Sequence, residues 1–156
     1  MRDILEVLDN LGIEYEKLEH KAVFTVDEAK TIEGQLSGTG CKNLFLKDKK
    51  KNYYLVVMME DKRADLKALG KMLGTSNFRF CSEEILMELL GLTRGSCTPF
   101  GIINDNENKV TVILDKEFAD KEKLLFHPNR NTATVSISYN DLIRFIESEN
   151  HKFITF

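Results

Sequence analysis

A chain of 156 residues, 42% hydrophobic and 30% charged, suits one globular domain running from residue 1 to residue 156. Nine Gly and two Pro exclude a collagenous or low-complexity protein, and the hydrophobic share is too high for a disordered one. With 22 basic against 25 acidic side chains the net charge is −3, which excludes a globally basic nucleic-acid coat but leaves room for a local basic face.

Ile4, Leu5, Leu8 and Leu11 recur at helical spacing before Gly12, so residues 2–11 are expected to form a first helix. Ile13, Tyr15 and Leu18 alternate in part and lead to His20 as a strand. Thr25, Val26, Asp27 and Glu28 then match a capping box and open a short second helix. Beyond the loop marked by Gly34, Gly38 and Gly40, the apolar runs Asn43 to Leu46 and Tyr53 to Met59 flank a lysine-rich turn as a hairpin. The second run is apolar or aromatic at seven consecutive positions, which predicts a central strand covered on both faces.

Leu66, Leu69, Met72 and Leu73 predict a third helix stopped at Gly74. Ser82 caps a fourth through Leu90, stopped at Gly91, with Phe78 to Phe80 a short strand between the two. Ile102 and Ile103, a turn through Asn104 to Asn108, and Val110 to Leu114 read as another hairpin. Thr132 to Ser138 alternates as a strand, a helix follows from about Asn140 to Glu149, and Phe153 to Phe156 closes the chain as a strand. No repeat or linker interrupts this series. The expected class is α+β, one compact domain with a mixed or mostly antiparallel curved sheet flanked by helices.

Lys42, Lys47, Lys49, Lys50 and Lys51 stand against Asp48 alone, a local excess that suits either a solvated hairpin tip or a surface steering a polyanion. Cys41, Cys81 and Cys97 are odd in number and form no CxxC pair, which suits reduced thiols in a cytoplasm and gives no zinc site. The amphipathic N-terminus lacks the apolar run of a signal peptide, and no stretch approaches the roughly 18 apolar residues of a membrane span, so no membrane partner is expected.

Glycine-rich nucleotide loops, GxSxG, HExxH and metal-ligand spacings are all missing, so neither cofactor nor metal is expected. Three features remain. Gly95-Ser96-Cys97-Thr98-Pro99 fixes a turn and frees backbone N–H groups that suit a carbonyl or oxyanion, or is an ordinary helix-to-strand connection. Lys42 precedes an apolar strand, where an ammonium holds a phosphate or polarises a carbonyl, or lies on the surface. His127, followed by Pro128, Asn129, Arg130, Asn131 and Thr132, stands at the mouth of a strand as a donor, an acceptor or a structural histidine. Cys97 is a nucleophile only if a base stands beside it, and His20 and His151 carry the least functional weight.

Taken in order, Phe24 to Ala29, Cys41 to Asp48, Gly95 to Gly101 with Asn104-Asp105, and His127 to Thr134 resemble the YbaK/ProX-type prolyl-tRNA editing family over nearly the whole chain. The resemblance implies an aminoacyl-tRNA deacylase that removes a wrongly esterified residue, alanine first, from the acceptor end of proline tRNA, with prolyl-tRNA synthetase as a possible partner. It implies a lysine anchor in Lys42, a GxxxP loop in Gly95 to Pro99, and a positioning histidine in His127. Gly95 holds the reacting carbonyl or the amine, and Ser96, Cys97, Thr98, Pro99, Asn131 and Thr132 line the substrate. Tyr53, Tyr54 and the lysine run are offered as a surface for the acceptor stem. Asn129-Arg130 is a departure within the His-Pro segment. Cysteinyl-tRNA or another small-residue ester, and a silent tRNA- or synthetase-binding module, stay open as alternatives.

Overall fold

Side-chain caps start the helices where the apolar periods begin. In the computed structural model, which describes residues 2–22 and 26–156, helix α1 (Ile4–Asn10) starts at Asp3, whose carboxylate accepts from the Leu5 N–H at 3.0 Å. Helix α2 spans Val26–Glu33; its expected cap, Thr25, lies outside the described residues, as does Phe24. Asp65 caps α3 (Leu66–Leu73) and Ser82 caps α4 (Glu83–Leu90), and both helices stop at left-handed glycines, Gly74 and Gly91. Ser138 caps α5 (Tyr139–Ser148).

The strands are β1 (Glu16–Glu19), β2 (Thr39–Lys47), β3 (Tyr53–Met59), β4 (Arg79–Phe80), β5 (Val110–Leu114), β6 (Leu124–Phe126), β7 (Ala133–Ile137) and β8 (Phe153–Thr155). They form one sheet in the order β1-β7-β6-β2-β3-β5-β8, with β4 also on β2. The pairs β2–β6, β3–β5 and β5–β8 are parallel and the rest antiparallel, so the sheet is mixed and the α+β class holds.

Two cores cover the sheet. Leu55 and Val57 of β3 face a large core with Leu8, Leu90, Phe100, Phe118 and Phe145, in which Phe100 stands edge-on to Phe126 and Phe145. Tyr54, Val56 and Met58, the alternate residues, face a smaller core with Leu46, Leu69 and Ile113. Strand β3 is therefore buried on both faces, as its continuous apolar run requires. Each fully buried aliphatic or phenyl side chain stabilises the fold by about 1.5–3 kcal/mol.

Ile102 and Ile103 are not in a strand. They belong to a 3-10 helix at Pro99–Asn104, with Thr98 as cap and Pro99 at its start, and their side chains enter the large core. A capped proline favours a helical turn, and the turn is buried at every position from Pro99 to Ile103. Strand β5 accordingly pairs in parallel with β3 and β8 instead of forming a hairpin. Gly101 permits the close packing: a Cβ there would fall 2.7 Å from Leu92 Cδ1 and 3.2 Å from the Leu90 carbonyl. The three-residue β6 and the 3-10 helix Lys116–Asp120, capped by Asp115, left no clear mark in the sequence.

Candidate active site

Strand β2 has one complete edge and one interrupted edge. It pairs with β3 from Cys41↔Met59 to Lys47↔Tyr53. On its other edge it meets β6 only at Thr39 and Gly40, and β4 only at Leu46 and Lys47. Among the described residues no strand pairs with residues 41–44 on that edge. The parallel register ends at Gly40↔Leu125, and Lys42 and His127 each stand two residues further on, past the point where β2 and β6 part.

Alternation assigns the side chains of this opening to faces. Cys41 and Phe45 pack with the large core and Leu44 with the small one, so Asn43 lies on the large-core face and Lys42 on the other. Lys42 Nζ donates to the Lys62 carbonyl just beyond β3. An ammonium has three hydrogens, so this bond leaves two for a ligand. Lys62 itself is held by Asp115 at 2.9 Å and Glu117 at 3.3 Å.

His127 follows β6 and closes the loop back to β7. Its Nδ1 donates to the Ala133 carbonyl at 2.9 Å, since a carbonyl can only accept, and this fixes the neutral tautomer with a lone pair on Nε2. Burial, helped by the nearby His20 ring, pushes its pKa below the ordinary histidine value despite the Ala133 bond. His20 stands with its ring centroid 6.2 Å from that of His127, and its Nε2 meets Thr134 Oγ1 at 2.8 Å. Its place beside His127 was missed because the contact joins residues 107 positions apart (127 − 20), and no local spacing signals such a contact.

The loop Gly95 to Pro99 enters the 3-10 helix directly. Gly95, with φ +91°, supplies a conformation that side-chain-bearing residues disfavour. Ser96 Oγ donates to the Thr93 carbonyl at 2.8 Å and accepts from the Thr93 N–H, and Thr98 Oγ1 caps Phe100. Both hydroxyl oxygens thus shape the loop; the Ser96 N–H also donates to the Thr93 carbonyl at 3.1 Å, the Thr98 N–H faces the Cys97 sulfur and Pro99 has none, which leaves the amides of Gly95 and Cys97 as the loop's donors for a substrate. Cys97 packs against the large core, where burial pushes its thiol up to about 12. A thiol in that state is not a nucleophile at neutral pH.

The His-Pro segment and the GxxxP loop meet through Asn129, whose Nδ2 donates to the Phe100 carbonyl at 3.5 Å. Asn129 adopts φ +63°, which asparagine tolerates better than most residues. Arg130 turns the other way, gripping both carboxylate oxygens of Glu19 at 2.7 and 2.9 Å and holding Glu19 down to about 2. Arg130 also donates to Thr132 Oγ1 at 2.7 Å, which occupies that side chain, while Asn131 lies half-buried between them. Tyr54 is not at the surface. It is buried in the small core with its hydroxyl on Asp48, because consecutive strand residues face opposite sides. Lys49, Lys50 and Lys51 are exposed at the hairpin tip.

A cavity of about 240 Å³ lies in the small core below α3, lined among others by Met58, Lys62, Leu66, Ile113 and Phe156. None of Lys42, His127 and the Gly95 to Pro99 loop lines it. Among the described residues no group of three or more His, Cys, Asp or Glu is placed to hold a metal ion, and no helix is long and apolar enough to cross a membrane.

Comparison with known proteins now decides the family. The model of the aminoacyl-tRNA editing domain matches residues 20–145, a stretch that contains every candidate site residue. The chain belongs to the aminoacyl-tRNA editing domain family. The resemblance carried by its motifs therefore stands, and so does the enzyme class it implies, an aminoacyl-tRNA deacylase. Among members of this editing family, the prolyl-tRNA editing protein ProX of Acetoanaerobium sticklandii is 38% identical over 96% of this chain and 92% of its own length. The prolyl-tRNA synthetase associated domain-containing protein 1 of Mus musculus is 40% identical over 92% of this chain and 88% of its own. A crystal structure described as a candidate trans-editing enzyme for prolyl tRNA synthetase shares the editing-domain fold at TM-score 0.76 and 20% identity, covering 99% of this chain and 94% of that one.

Proposed function

We propose that this chain edits proline tRNA in trans, hydrolysing the ester of a wrongly attached small amino acid, with alanine as the principal substrate. The observation that carries this reading is the interrupted edge of β2. There Lys42 and a neutral His127 each stand two residues past the last β2–β6 pair, and Asn129 ties the His-Pro segment to the GxxxP loop. A synthetase pocket shaped for proline rejects a smaller residue by only about 1–3 kcal/mol, so a second site that admits alanine by size has to remove the error.

The chemistry divides among these groups as follows. A water oxygen bonds to the ester carbonyl carbon, the bond from that carbon to the ribose oxygen breaks, and the proton ends on the ribose hydroxyl. The free hydrogens of Lys42 Nζ anchor the terminal phosphate or ribose. His127 Nε2, kept neutral by burial, accepts from a ribose hydroxyl and so positions it. The backbone N–H groups of Gly95 and Cys97 in the GxxxP loop face the charge that develops on the carbonyl oxygen, and one donor of this kind is worth about 3–4 kcal/mol in transition-state stabilisation. The high thiol pKa of Cys97 favours attack by water over an acyl-enzyme route.

The test is deacylation of alanyl-, cysteinyl- and prolyl-charged proline tRNA at matched concentration, with Lys42→Ala as control. The expected result is rapid loss of alanine, prolyl ester spared, and a drop of at least about 100-fold in Lys42→Ala, the size expected for a lost charge-stabilising donor. Faster release of cysteine than alanine would reassign the substrate. Release from none of the three would leave a tRNA- or synthetase-binding module as the reading.

A further inference from the structure

Two buried side-chain oxygens lack a hydrogen-bond partner among the described residues, Asn43 Oδ1 and Asn129 Oδ1. A shielded amide oxygen with no donor is uncommon in a folded protein and calls for a specific reason. Asn43 sits at the centre of the four-residue stretch where β2 has no partner strand on one edge. Asn129 lies in the segment that leaves β6 beside that stretch, and its Nδ2 is committed to the Phe100 carbonyl, which turns its Oδ1 away from that bond. The Gly95 to Pro99 loop ends at the same carbonyl. Asn43 thus lies at the opening on its large-core face, and Asn129 is tied through the Phe100 carbonyl to the end of the GxxxP loop, whereas Lys42 lies on the other face.

We propose that Asn43 and Asn129 form the subsite for the α-ammonium group of the esterified amino acid; this deepens the editing reading and rests on it. Phosphates and the ester carbonyl are acceptors and gain nothing from two further acceptors. Among the groups around the ester bond, the carbonyl, the ribose oxygens and the α-ammonium, only the α-ammonium donates without accepting, with three hydrogens to place. Amides suit the task better than carboxylates. A neutral oxygen is less costly to hold buried and unpaired between turnovers than a charged one, and it releases the product amino acid more readily. Gripping the ammonium from the large-core side leaves the carbonyl toward the loop and the ribose toward Lys42. The amino acid is thereby oriented by its invariant part, and its side chain is left to be judged by size.

The experiment compares the alanyl ester with the propionyl ester of the same tRNA, which replaces the ammonium by hydrogen. Both are hydrolysed by wild type, Asn43→Leu, Asn43→Asp and Asn129→Leu, with thermal unfolding followed in parallel. The expected result is a fall of about 10–100-fold in kcat/KM for the alanyl ester in each Leu variant, the range for losing a hydrogen bond to a charged group. Propionyl hydrolysis is unchanged in Asn43→Leu, Asn129→Leu also cuts the tie to the Phe100 carbonyl and so loses on both esters but more on the alanyl one, and Asn43→Asp keeps the preference for the alanyl ester. Equal losses on both esters in folded variants, or no loss on the alanyl ester, would overturn the assignment while leaving the editing activity standing. Wild type that hydrolyses neither ester would overturn the editing reading itself, and the subsite with it.

Discussion

Two stretches of β2 treat buried polar atoms in opposite ways. Where the strand runs into its hairpin, the buried Asp48 carboxylate accepts from the Lys50 and Asn52 N–H groups, Asn52 Nδ2, Tyr54 Oη and Thr75 Oγ1, all between 2.9 and 3.1 Å. Burial alone would raise its pKa, but these donors together hold it below the ordinary carboxylate value. In the middle of the same strand, Asn43 keeps a shielded oxygen with no donor. A satisfied network locks a turn, whereas an unsatisfied one at a gap in the sheet is kept for a ligand. The difference separates structural polar residues from functional ones where residue type alone does not.

The distinction can be broken at its satisfied end first. Asp105 and His151 form a second such centre, a buried pair at 2.9 Å in which Asp105 also accepts from the Lys109 and Val110 N–H groups. Asp105→Ala should lower unfolding free energy by about 3–5 kcal/mol in urea titrations, because it strands a buried imidazole and two amides. The pair also sets a pH window. His151 titrates above its ordinary 6.5 in the folded protein, Asp105 outweighing burial, so its contribution is full below 6.5 and is lost as pH rises through the folded value. Asp105 titrates below its ordinary 3.8, with the His151 bond and two amides outweighing burial, so its contribution is present above 3.8 and lost as pH falls. The decline in the urea midpoint between pH 5.5 and 8.5 should shrink in His151→Gln; an undiminished decline would assign it to other groups.

Asp48→Ala should cost about 3 kcal/mol, the scale of a lost charged acceptor with stranded buried donors. Alanyl-ester hydrolysis measured well below the melting temperature should stay near wild type. A large loss of kcat in folded Asp48→Ala would erase the contrast between the hairpin end and the middle of β2. The smallest effect is expected from Lys49, Lys50 and Lys51. Replacing all three by Ala should move stability by no more than about 0.5 kcal/mol, as for exposed surface positions. It should also flatten the dependence of deacylation on salt, as expected for phosphate contacts. An unchanged slope would leave the tip a solvated turn.

Much of this was legible locally. Ser82, Gly74 and Gly91 bound their helices through short-range hydrogen bonds and backbone preference, which spacing reveals, whereas the caps Asp65 and Ser138 emerged only in the structure. Seven apolar residues in β3 required cover on both faces, and the sheet supplies it. The Pro99 turn misled because Ile102 and Ile103 resemble a strand until Thr98 is seen as a cap. Strand β6 was unreadable because three residues are too few to show a period, and yet its parallel register is what sets Lys42 and His127 each two residues past the last β2–β6 pair.

By itself the sequence determined the mixed α+β class, the positions of the helices, and the family, through the ordered segments around Lys42, Gly95 to Pro99 and His127. These depend on nearest neighbours along the chain. Tertiary structure alone decided that Tyr54 is buried, that the Cys97 thiol is held protonated, that His20 stands by His127, and that Asn43 and Asn129 keep unpaired oxygens. Burial and partnership across as many as 107 residues set those properties, and they exist only once the sheet has closed.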